Sequence, residues 1–204
     1  MCMYPRKRKV DTRCEKRLFV VSVEGAVTEV EYLRRLEKLH YGTCIIDILS
    51  NVNKSSPCSV LERMRNHRCS LKRGDELWCV VDKDRWNDMQ LDMLESWASE
   101  MSPDISRHLG LSNPKIELWL LLHFADWSPG MAVSSALATF MPNYDKHLDE
   151  RRITRDSIKK AIERGATLIP DGKPHRDKPG TNLWVLAKNI AEAVHCQSRY
   201  SPKL

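Results

Sequence analysis

The stretch DELWCVVDKD, residues 75–84, decides the fold. A run of apolar and β-branched residues this short, closed by two acids, reads as a strand buried on both faces. Alternate strand residues share a face, so Asp82 and Asp84 point one way and Lys83 the other, provided the extended backbone continues that far. Two carboxylates at close range raise each other's pKa unless a positive group lies between them. Taken alone the pair also suits a helix start, where acids cap and complement the dipole.

Working outward, RLFVVSVEG (17–25) is a second buried strand, ended by Glu24 and Gly25, and TEVEYLRRLEKLH (28–40) carries Val30, Leu33 and Leu36 at helical spacing. Thr28 with Glu31 three residues later matches a capping box. TCIIDIL (43–49) is a third strand, and 55–74 is helical from a Ser/Pro start to Gly74. After residue 84 a helix is expected over 86–101, with Met89, Met93 and Trp97 recurring every fourth residue, then a short strand within 104–114 and a helix over 114–127. Strands that alternate with helices predict an α/β fold: an open, largely parallel sheet of about four strands, with helices on both faces. Segments 130–141, 156–169 and 182–197 add a helical C-terminal part, interrupted by the polar loop 170–181.

Ligands of such sheets gather outside the carboxyl ends of the strands. Glu24, Asp82 and Asp84 are thereby brought to one rim. Hard oxygen donors mounted on strand ends suit Mg²⁺ or Mn²⁺, which keep several waters and bind substrate phosphates beside them. Glu117 stands in the otherwise apolar IELWLLLHF and needs a partner if buried, which makes it a candidate fourth acid. Lys146 reads either as a solvated loop lysine or as a point charge on a phosphate. Arg85 is placed to touch phosphate, and Ser112 and Asn113 read equally as helix caps or as substrate contacts. His123 is expected to be a satisfied core histidine, and the tryptophans to be core.

The formal charge of +6 is uneven, because the first 17 residues carry seven Lys or Arg against two acids and the rest is nearly neutral. Arg6, Lys7, Arg8 and Lys9 lie in this segment, read as a basic disordered tail over 1–16 that is a nuclear address, an arm for a nucleic-acid backbone or a solubilising tail. One domain over 17–204 is expected from the length. Seven cysteines without C-x-x-C or finger-like spacing fit reduced thiols in a cytoplasmic protein, with Cys44 and Cys79 in the core. No apolar run reaches the roughly 20 residues of a membrane span, and no secretory signal is visible.

VEG (23–25) with VVDKD (80–84) is similar to the Toprim pattern of a strand-end Glu-Gly and a later D-x-D. VSVEGAVTEVEYL (21–33), DELWCVVDKDRW (75–86), LSNPKIELWLLLHF (111–124) and YDK (144–146) resemble the RloB family of that fold, over about 17–190. The chain departs from the family pattern in the loop after Gly25 and at Lys115-Ile116. The resemblance implies a Toprim-like, metal-dependent nuclease acting on DNA or RNA, tRNA included. Asp82 and Asp84 would hold the metal, and Glu24 would join its shell or handle a proton. It also implies a setting in prokaryotic anti-phage defence or a CRISPR-associated system, with an ATPase or CRISPR effector as partner. Self-association is left open. The alternative is a non-catalytic subunit that binds nucleic acid or the ATPase.

Overall fold

The computed structural model describes residues 16–51, 53, 55–84 and 86–193. Residues 1–15 of the segment expected to be a disordered tail, with Arg6, Lys7, Arg8 and Lys9, lie outside them, as does Arg85.

Four parallel strands form the sheet: β1 (Arg17–Val23), β2 (Cys44–Leu49), β3 (Glu76–Asp82) and β4 (Ser106–Asn113). A two-residue β5 (Gly180–Thr181) adds an antiparallel edge against Ser112 and Asn113, giving the order β2-β1-β3-β4-β5. From β1 the chain steps outward to β2 and then crosses back to β3 on the other side of β1. The strand order therefore reverses between β1 and β3, and the crevice between their carboxyl ends is where this architecture places ligands.

The strand residues alternate as their pattern requires. Phe19, Val21, Val23, Trp78 and Val80 face one layer, built from α1 (Thr28–Leu39), α4 (Ile116–Leu122), α5 (Val133–Phe140), α6 (Arg155–Leu168) and α7 (Leu183–Ala191). Val20, Cys79, Val81, Leu109 and Leu111 face the other, built from α2 (Pro57–Asn66) and α3 (Asp88–Ala98). Helices thus cover both faces, and full burial of a side chain such as Phe19 stabilises by about 1.5–3 kcal/mol. Cys44, Cys79, Trp78 and Trp119 are buried.

Several local expectations are corrected. Val27, not Thr28, occupies the N-cap of α1; the Thr28 hydroxyl donates to the Lys146 carbonyl at 2.7 Å, and Glu31 accepts from the Leu148 amide. Long-range partners have displaced the local cap. Helix α2 stops at Asn66, where His67 turns to extended backbone, short of the expected Gly74. Helix α3 starts later, behind a capping box of Asn87 and Gln90, and buries Leu91, Leu94 and Trp97, while Met89 is 76% exposed. Of the residues read at period four, Trp97 is buried with Leu94 beside it, while Met89 and Met93 face solvent. Ser112 and Asn113 end β4 and do not cap a helix.

Candidate active site at the carboxyl ends of β1 and β3

A cleft of about 380 Å³ opens at the rim, lined by Glu24, Glu29, Asp82, Asp84 and Glu117 with Lys115 and Lys146. Five carboxylates thus meet two ammonium groups in one hollow.

Each is delivered by a different piece of backbone. Glu24 follows β1, and its amide donates to the Val80 carbonyl at 3.0 Å, which keeps it in register with β3. The amide of Asp82 donates in turn to Glu24 Oε2 at 3.2 Å, and Trp86 Nε1 donates to both Glu24 oxygens. Asp82 is the last residue of β3; Asp84 lies past the strand end, and its amide donates to the Pro114 carbonyl at 3.0 Å. Lys83 turns away, its Nζ donating to the Trp86 carbonyl. The alternation expected of the D-K-D run is therefore kept although the strand itself ends at Asp82.

Glu29 and Glu117 sit in the first turns of α1 and α4. Glu29 is 8% exposed and accepts the Gly25 amide at 3.0 Å. Burial pushes its carboxyl up, against the pull of that amide, and Glu117 adds repulsion. Glu117 is half-buried and accepts from the Tyr144 hydroxyl at 3.1 Å. Asp82 shows the strain of the assembly most clearly. Burial raises its carboxyl well above the usual carboxylate range, and the charges of Glu29, Glu24 and Glu117 raise it further.

Lys146 closes the cleft from a distant loop with φ of 86°, a left-handed backbone that costs a non-glycine residue about 1–3 kcal/mol and persists only where its surroundings enforce it. Here the Thr28 hydroxyl holds its carbonyl. Lys115 approaches Asp84 at 3.7 Å, with both side chains close to half exposed.

Of the residues singled out from sequence, Glu24, Asp82, Asp84, Glu117 and Lys146 come together. Ser112 and Asn113 are not among those that line the cleft: Ser112 is 1% exposed and pairs with the Thr181 hydroxyl at 3.0 Å, and Asn113 Nδ2 donates to the Arg176 carbonyl. Glu29, Lys115 and Trp86 were missed. Glu29 looked like an ordinary first-turn acid; its closeness to Glu24 across the short EGAVTE loop was the available signal.

Among the described residues no group of three or more His, Cys, Asp or Glu is gathered tightly enough to enclose an ion. Mg²⁺ does not require such a cage, since it is commonly held by one or two carboxylates with waters and substrate phosphates.

A parallel α/β sheet with an acidic crevice at its strand-order reversal defines the class. Within it the family is specific: the sequence model described as RloB-like protein matches residues 19–190, and the chain belongs to that family. No curated protein and no solved structure matches the chain. Among the described residues no helix is long and apolar enough to cross a membrane.

Proposed function

We propose that this chain is a Mg²⁺- or Mn²⁺-dependent nuclease of Toprim type that hydrolyses phosphodiester bonds of DNA or RNA. The observation that carries this reading is the convergence of Glu24, Glu29, Asp82, Asp84 and Glu117 on one cleft at the carboxyl ends of β1 and β3, where burial and three neighbouring acids raise the carboxyl of Asp82. A charge arrangement that disfavours its own ionised form is relieved by a cation, and the donors present are all hard oxygens. Asp82 and Asp84 would hold the metal, with Glu24 beside them. When bound, such an ion lowers the pKa of a coordinated water and offsets negative charge developing on the phosphate.

The chain's own residues supply the remainder. Glu24 is held in a fixed orientation by the Asp82 amide and Trp86, suited to metal ligation or to taking a proton. Lys146, held by Thr28, and Lys115 line the cleft on which a phosphate would settle, as point charges. Glu117 and Glu29 add two further carboxyl groups to the hollow. The setting we propose is a defence or CRISPR-associated system with an ATPase or effector partner, in keeping with the family resemblance.

The test is to incubate purified protein with labelled duplex DNA, single-stranded RNA and tRNA in Mg²⁺ or Mn²⁺. The wild type is expected to cut at least one, and Asp82→Ala to abolish cutting with an unchanged circular dichroism spectrum. Equal activity in the two proteins, or no metal binding by calorimetry in either, refutes the reading and favours a non-catalytic binding subunit.

A further inference from the structure

Trp86 is not a residue whose type suggests chemistry, yet its indole donates directly to a cleft carboxylate. Its indole Nε1 stands 3.0 Å from each oxygen of Glu24, while the Asp82 amide reaches Oε2 at 3.2 Å. A glutamate side chain has several rotatable bonds. Donors placed on both its oxygens select one orientation of the carboxylate plane.

Trp86 is itself braced. Its amide donates to the Lys83 carbonyl at 2.9 Å, Lys83 Nζ donates back to the Trp86 carbonyl at 2.8 Å, and its ring packs against the apolar layer that contains Val20 and Val81. The lysine between the two aspartates therefore closes a turn, and that turn delivers the indole to Glu24.

We propose that Trp86 is a positioning residue for Glu24, and that Lys83 serves the site through it by bracing the turn. This inference rests on the metal-dependent reading above. Partners that orient a ligand from outside the coordination shell commonly change metal affinity or activity by about 10–100-fold when removed.

The experiment is calorimetric titration of MnCl₂ into the full chain as wild type, Trp86→Phe, Lys83→Met and Asp82→Ala, each also followed by circular dichroism and thermal melting. Trp86→Phe keeps a ring against the apolar layer and deletes the donor. It is expected to weaken Mn²⁺ binding about tenfold or more while melting cooperatively, and Lys83→Met to shift affinity the same way by less. A purely structural role would lower Tm and leave the Mn²⁺ affinity of the folded protein unchanged. Wild-type affinity in Trp86→Phe, with binding lost in Asp82→Ala, overturns the positioning role and leaves the metal site standing. If the wild type binds no Mn²⁺, both fall. Should Trp86→Phe fail to fold, Lys83→Met decides, and wild-type affinity there overturns the proposal.

Discussion

The carboxylate of Glu29 lies directly over Gly25: it accepts the glycine amide at 3.0 Å, and a β-carbon at position 25 would come within 2.0 Å of its Oε2. Glycine is favoured here by close approach, not by an unusual backbone angle, because any β-carbon must displace the end of the Glu29 side chain. Gly25→Ala is therefore expected to push the Glu29 carboxylate off its amide donor. An unsatisfied buried polar group costs about 1–3 kcal/mol, so Tm should fall by several degrees. The cleavage activity proposed above should fall with it, and more steeply than in a surface variant of equal Tm. Paired melting and cleavage assays check this.

Removing charge from the cleft should stabilise the metal-free protein. The folded-state pKa of Asp82 is raised, so its contribution to stability is fully present below the unfolded-state value and is lost as pH rises through the folded one. Asp82→Asn is expected to raise Tm at neutral pH in EDTA and to erase any stabilisation by Mg²⁺. Differential scanning calorimetry with and without metal reads both effects.

His123 gives the opposite sign. It is 2% exposed, lies between the Trp119 carbonyl at 3.0 Å and the Tyr32 hydroxyl at 3.3 Å, and burial lowers its pKa from 6.5 to about 4. The unfolded chain takes up a proton that the folded chain refuses, so stability is lost as pH falls from about 6.5 toward 4. The full loss is on the order of 3 kcal/mol at about 1.4 kcal/mol per pKa unit. Denaturant melts of wild type and His123→Gln across this window should converge as pH falls.

Fold and site can be separated at Glu76. This carboxylate is 3% exposed and accepts from Arg17, from Trp78 Nε1 at 2.7 Å and from Asn189 Nδ2. It begins β3, about 20 Å from Asp82 at roughly 3.3 Å per strand residue. Arg17 is 34% exposed and keeps water when its partner is removed, so Glu76→Ala should cost about 1–3 kcal/mol, mainly from the donors of Trp78 and Asn189 left without an acceptor. Mn²⁺ affinity of the remaining folded protein should be unchanged.

The layering was legible because period and length agree: the apolar runs around Val20 and Val80 are short, β-branched and buried, the run around Ile46 reads as a strand although it lies at the sheet edge, and their spacing left room for helices. The same logic brought Glu24, Asp82 and Asp84 to one rim, since strand ends of a parallel sheet share a side. What could not be read is whatever depends on a partner far along the chain. Thr28 has the residue type of a cap, and only the fold reveals Lys146 competing for its hydroxyl. Ser112 carries no mark that Thr181 will take it. Lys115 looked like a departure from a family pattern, and its approach to Asp84 follows from the path of the backbone between β4 and α4. Trp86 resembled any aromatic at the start of a helix. Two residues of β5 are too few for periodicity to register.

The bond between Thr28 and the Lys146 carbonyl spans 118 residues. A contact of such separation cannot form until both ends of the intervening loop have been made and the entropy of closing it has been met. The wall that Lys146 supplies therefore does not exist in a partial chain. During synthesis, a nascent polypeptide that has already emerged through β3 holds Glu24 and Asp82 but lacks the side of the cleft contributed by residue 146. The cleft is complete only once residue 146 has been made and docked on Thr28.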